Sequence, residues 1–184
     1  SPIGNSGTPF SGSFDGKGYI ITGLSVNRPS EQYVGLFGLL GGSVQRVGLE
    51  TLSVSGIGDV GGLVGYNDGG TVSSCYATGS VSGNSSVGGL VGINGGTVSS
   101  CYWNTETSGT ATGMNGTIAG ATGLSSAEMV AQSSFTGFDF TTTPEWRIFD
   151  GITRPFLPWQ SVSVVVAQIA YAGGDGSSGT PYQI

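Results

Sequence analysis

The sequence predicts an all-β fold, a parallel β-solenoid of about four coils followed by an irregular, aromatic-rich C-terminal cap with one short helix. Three observations carry this. A motif returns at Gly35, Gly62 and Gly89, at intervals of 27 residues. Short stretches of alternating apolar and polar residues are bounded by Gly, Asn and Asp, as strands between turns require. No repeat unit shows helical periodicity. The 36 glycines among 184 residues fall at recurring positions, so they read as structural punctuation rather than low complexity.

The repeat anchors are Gly35-Leu36, Gly62-Leu63 and Gly89-Leu90, and the residues after them repeat as well. One-residue length differences fall at Asn67-Asp68 and Asn94, where a turn tolerates insertion. A segment such as Thr71-Val72-Ser73 cannot bury a face alone. Stacking each on its equivalent in the next unit solves this, with Val44, Val72 and Val98 as one interior column. An earlier coil is expected from Phe10 to Tyr33, with Phe14, Ile21, Leu24 and Val26 inward and a turn at Asp15-Gly16-Lys17-Gly18. No cap is evident before Phe10.

Cys75 and Cys101 occupy the same place in adjacent coils, about one strand spacing (roughly 4.8 Å) apart. Val47 holds this position one coil earlier, which favours a buried thiol column over a disulfide. Side chains on in-register parallel strands point the same way, an awkward approach for the required torsion.

The run from Gly62-Leu63-Val64-Gly65 through Gly70-Thr71-Val72-Ser73-Ser74-Cys75-Tyr76-Ala77-Thr78-Gly79-Ser80-Val81-Ser82-Gly83 closely resembles the GLUG repeat of large bacterial surface proteins. These include filamentous-haemagglutinin-like adhesins and some secreted peptidases. Residues 10–18 resemble the coil that precedes the repeats in that family, and residues 101–109 its closing repeat. The resemblance implies an architecture and an extracellular or bacterial cell-surface location; it does not imply an activity.

Beyond residue 109 the period is lost. Ser125 and Glu128 form a capping-box pattern that predicts a helix of about two turns. Phe135, Phe138, Phe140, Trp146, Phe149, Phe156 and Trp159 suggest a cap over the open end of the core. The organisation is thus a solenoid over 1–110, a capping region over 111–160, and a strand with a Gly/Ser-rich tail over 161–184. In that tail Val162, Val164, Val166, Tyr182 and Ile184 are candidates for a strand added to another subunit. The opposing expectation is that the tail folds back along its own solenoid or links to a following domain. In the family that the repeat resembles, a segment like 180–184 opens a new unit and one like 1–4 lies inside one, so the chain is expected to begin mid-unit and stop as another begins; the Ser1 start suggests a processed product or an excised segment.

Five basic residues against eleven acidic ones, net −6, disfavour nucleic acid or anionic membrane as a partner. Histidine is absent, removing the commonest general base and transition-metal ligand. The acids lie scattered at turns, as at Asp59, Asp68 and Glu106, and nothing in the sequence supports a glycosidase pair such as Asp59 with Glu31 or Asp68 with Asn94. The chain is therefore expected to be non-enzymatic, with no catalytic residues, no cofactor and no metal. Its expected work is structural or adhesive, with itself, adjacent repeats or surface glycans as partners, and head-to-tail assembly into a filament as an extension. The alternatives are a carbohydrate-binding module using Trp103 and Trp159 as exposed platforms, and a polysaccharide-active β-helix enzyme.

Overall fold

The computed structural model describes residues 1–110, 112, 119–141 and 146–156. The chain winds through stacked coils. The first contains β1 (Ser13–Asp15), β2 (Ile20–Thr22) and β3 (Ser25–Val34). The second contains β4 (Phe37–Leu40), β5 (Ser43–Gln45) and the long β6 (Gly48–Gly61). The third comprises β7 (Val64–Asn67), β8 (Thr71–Ser73), β9 (Tyr76–Ser82) and β10 (Ser85–Gly88). The fourth holds β11 (Val91–Asn94), β12 (Thr97–Ser99) and β13 (Cys101–Asn104), followed by the one-turn helix α1 (Thr105–Ser108) and β14 (Ala121–Leu124).

Each strand pairs in parallel with its counterpart in the next coil. Three sheets result, ordered β1-β5-β8-β12, β4-β7-β11, and a larger one in which β2 and β3 both pair with β6, which leads on to β9, β13 and β14. The first sheet stacks four strands, so about three turns separate its first rung from its last. This is the expected β-solenoid.

The register explains the core. Phe14, Val44, Val72 and Val98 align as one column, and the three valines are buried. Further columns are Phe37–Val64–Val91, Val26–Val54–Val81 and Leu49–Ala77–Trp103. Ile21 and Leu24 pack against this core as half-buried residues. The corners between strands repeat too. Arg46, Ser74 and Ser100 share a positive φ of 47–54°, and Tyr33, Asp59 and Ser86 share another of 51–60°. The extra residue of the third coil sits in the Asp68-Gly69 turn, where Gly69 has a φ of 75°.

Four features depart from expectation. The capping box does form: Ser125 N donates to Glu128 Oε2 (2.8 Å) and Glu128 N to Ser125 Oγ (3.3 Å). The backbone beyond it, however, makes two 3-10 turns, Glu128–Val130 and Gln132–Ser134, rather than a two-turn helix. Ala131 is extended, and Gln132 N is held by Asp150 Oδ1 at 2.7 Å. Tertiary contacts, together with burial of Met129, override the local helix signal.

The second departure is α1, where Asn104 caps the backbone amides of Glu106 and Thr107. Four residues carry no apolar period, so nothing in the pattern announced it.

The third is the aromatic segment, whose described part packs on the side of the stack rather than over its end. Phe135, Phe138 and Trp146 join Tyr76, Tyr102, Leu124 and Met129 in a second apolar cluster. The cause lies in the strands. Cys75 and Ala77 point inward, so Tyr76 between them points out, and Tyr102 does the same between Cys101 and Trp103. Two large apolar rings on an outer face need a cover. The Tyr76 hydroxyl lies between two acceptors, Glu50 Oε1 (3.0 Å) and the Pro155 carbonyl (2.9 Å), tying the segment to the coils.

The N-terminus is also covered. Ile3 and Phe10 form parallel bridges to Phe37 and Leu40, so residues before the first coil lie along β4. The expectation that nothing caps Phe10 is corrected accordingly.

Candidate functional site

The repeat anchors occupy the corner between the large sheet and the β4-β7-β11 sheet. Leu63 and Leu90 are fully buried, while Leu36 is half-buried against the same core. Leu63 N donates to Leu90 O at 2.9 Å, and Phe37 N to Leu63 O at 2.8 Å, so the corner backbone is bonded coil to coil. A β-carbon on Gly62 would lie 2.6 Å from the Gly89 carbonyl oxygen, too close for any other residue. On Gly35 it would lie 2.9 Å from Gly61 O. The motif is thus the signature of tight corner stacking.

Cys75 and Cys101 are free thiols, both buried, in one column with Val47. Cys75 Sγ donates to Ser73 O (3.1 Å) and Cys101 Sγ to Ser99 O (3.2 Å). Burial pushes the Cys75 thiol well above the ordinary thiol range, and the neighbouring Cys101 adds to this. A thiol so raised is a poor nucleophile.

An asparagine ladder stands at another corner. Leu40, Asn67 and Asn94 align. Asn67 Nδ2 donates to Asn94 Oδ1 at 2.7 Å and to Gly70 O at 3.2 Å. Asn67 Oδ1 is buried and finds no donor among the described residues, because the rung before it is Leu40.

The outer face of the β1-β5-β8-β12 sheet is polar. Ser13, Ser43, Thr71 and Thr97 align along it, and Ser43 Oγ donates to Ser13 Oγ at 2.9 Å. Asp15 accepts from Arg46 in the next coil, with Arg46 Nε 3.0 Å from Asp15 Oδ1, and this guanidinium holds the Asp15 carboxyl below its usual range.

Several carboxylates make structural contacts. Glu31 pairs with Arg28 at 3.5 Å. Glu50 faces Tyr76 and Arg154. Glu106 accepts from Ser126 N at 3.1 Å. Hydrogen bonds from Ser126 and Ser125 hold the Glu106 and Glu128 carboxyls below the usual range.

Trp103, expected as an exposed platform, is buried in the core instead, where Ala77 beside it and Gly89 leave room for the indole. Its alternation with outward Tyr102 decides this. Trp159 lies outside the described residues, as do Val162, Val164, Val166, Tyr182 and Ile184. Among the described residues no helix is long and apolar enough to cross a membrane.

The strand edges are the remaining candidate surface. β11 ends one sheet, and β1 and β12 end another, with no described strand beyond them. The large sheet runs on through β14, where Cys101 pairs with Ala121 and Trp103 with Gly123.

Comparison with known proteins agrees with the repeat. Residues 56–82 match the model of the GLUG motif, a span that runs from the end of β6 through β9. The chain is 41% identical over 64 residues to a halomucin of Haloquadratum walsbyi, covering 34% of this chain and 1% of that protein. It is 41% identical over 73 residues to a glycine-rich membrane protein of Evansella cellulosilytica, covering 37% of this chain and 8% of that protein. No solved structure matches. The chain therefore carries a GLUG motif and is similar, over about a third of its length, to small parts of much longer proteins.

Proposed function

We infer that this chain is a non-enzymatic structural module of a cell-surface or extracellular protein, and that its coils stack on further coils, in the same array or in a second copy. The observation that carries this reading is the strand-edge geometry. Among the described residues, no strand pairs beyond β11 and β12 at one end of the stack or beyond β1 at the other. A further coil of the same period extends each sheet by the pairing already used inside the chain. Such a contact joins two different surfaces, so it propagates rather than closes.

The use of the acids supports a non-catalytic role. A carboxylate mechanism needs a pair whose environments drive their affinities for protons apart. Here Asp15, Glu106 and Glu128 are all shifted the same way, by contacts that hold corners and turns together. The names of the two relatives, a halomucin and a glycine-rich membrane protein, support a surface setting.

Light scattering and electron microscopy of the full chain, beside a chain lacking residues 161–184, test the assembly. Concentration-dependent fibres from both chains are the expected result, since the edges proposed to pair lie outside the removed segment; fibres lost on truncation would move the contact to residues 161–184. Monomers from both at high concentration would remove self-association and leave stacking within a longer chain.

A further inference from the structure

The first coil breaks the repeat in three neighbouring places, and together these breaks build a groove. Pro29, Ser30 and Glu31 stand opposite the single residue Ile57, because Arg28 pairs with Gly56 and Gln32 with Gly58. This bulge pushes a polar segment out of the sheet. The second break is the corner residue. Tyr33 has a φ of 60°, whereas the same corner holds Asp59 and Ser86 in the next coils. A left-handed corner favours small polar residues, so a tyrosine there is held at a conformational cost that the stacking of coils does not require. Its ring stacks on Tyr66, with centroids 6.0 Å apart and planes at 26°. The third break is the N-terminal turn, in which Asn5 Oδ1 accepts from Gly7 N (2.9 Å) and Thr8 N (3.0 Å), leaving the Asn5 amide donors outside that turn.

Asn5, Ser6, Ser30, Glu31, Tyr33 and Ile57 line the resulting groove of about 540 Å³. Its size is that of a small-ligand site. Its lining combines a fixed aromatic ring and an aliphatic edge with amide, hydroxyl and carboxylate groups. A pyranose ring matches this mixture: its C–H faces pack on an aromatic ring, and its hydroxyls exchange hydrogen bonds with amides and carboxylates.

We propose that this groove is a binding subsite for a neutral saccharide, one or two hexose units of a surface glycan. Glu31 in the lining and the chain's net charge of −6 disfavour acidic sugars. The proposal goes beyond the stacking role and uses different residues. It also replaces Trp103 as the aromatic platform.

The test is calorimetric titration of the full chain with cellohexaose, maltohexaose, chitohexaose and, as the acidic comparison, hexagalacturonate. At least one neutral probe is expected to saturate with submillimolar affinity. Tyr33→Ser, which installs the residue type found at Ser86, should weaken that binding about tenfold or more with the unfolding midpoint little changed. Should Tyr33→Ser fail to fold, Glu31→Gln takes its place, and NMR shift mapping of the wild-type chain should place the perturbations at Asn5, Ser30, Tyr33 and Ile57. Three results would overturn the proposal. They are no saturable binding of any neutral probe at millimolar concentration, shifts confined to another surface, or tighter binding of the acidic probe.

Discussion

The Trp103 indole occupies the space that a β-carbon on Gly89 would need. The two residues are fourteen apart in sequence, yet each permits the other. Gly89→Ala should therefore destabilise the chain by about 1–3 kcal/mol through overpacking, and Trp103→Ala by about 3–5 kcal/mol through the cavity it leaves. The double variant should cost less than the sum, because the added methyl enters space vacated by the ring. Urea unfolding of the four proteins measures the coupling, and strict additivity would contradict the contact.

Leu63→Asp and Leu90→Asp should each prevent folding. Both leucines are fully buried, and an aspartate there would have no partner for its charge. Circular dichroism with a thermal ramp checks this: a wild-type melting midpoint would show that the corner assignment is wrong.

The cysteines should behave as apolar filler. Cys75→Val with Cys101→Val should fold and melt close to wild type, since Val47 already fills the same column. In the native protein both thiols should resist a water-soluble disulfide reagent until the chain unfolds, because both are buried away from it, and burial also raises the Cys75 thiol. Rapid stoichiometric labelling under native conditions would count against a buried column.

Tyr76 should set an alkaline limit. Burial foremost, with Glu50 second, raises its hydroxyl well above the ordinary tyrosine value. The folded state thus holds this proton more tightly than the unfolded chain. The associated stability is complete below about pH 10, the unfolded value, and is lost as pH rises toward the folded one. Tyr76→Phe loses a hydrogen bond, about 1 kcal/mol at pH 7, but has no such ionisation. The gap between the two proteins should therefore narrow above about pH 10. Urea midpoints across that range give the comparison, and a constant gap would separate Tyr76 from the alkaline limb.

The interior of the solenoid was legible in the sequence because a stack repeats its chemistry. Val44, Val72 and Val98 recur within the same motif, and the structure places them in one column. The turn insertion was legible for the same reason, expected at Asn67-Asp68 and found one residue later, at the Asp68-Gly69 turn. The exterior was not. Cys-Tyr-Ala and Cys-Tyr-Trp put three apolar residues in a row where alternation demands a polar one outside. That was the signal for a lateral cover at Tyr76 and Tyr102, and it also turns Trp103 inward. The helix after Ser125 failed because the local pattern knows nothing of Asp150, which takes the amide of Gln132. The groove at Tyr33 was hidden because it arises where the repeat is broken, and a period reports only what recurs.

The asparagine ladder has a beginning, at Leu40, and the orphaned Asn67 Oδ1 marks it. Every later coil with asparagine on this rung receives a donor from the coil before it and needs none from outside. The defect is therefore an end effect, incurred once at initiation, whereas the bonds scale with the number of coils. A longer array with the same rung gains hydrogen bonds in proportion to its length while its unsatisfied acceptors stay fixed at one. Its cooperativity, and the sharpness of its unfolding, should rise with each coil added.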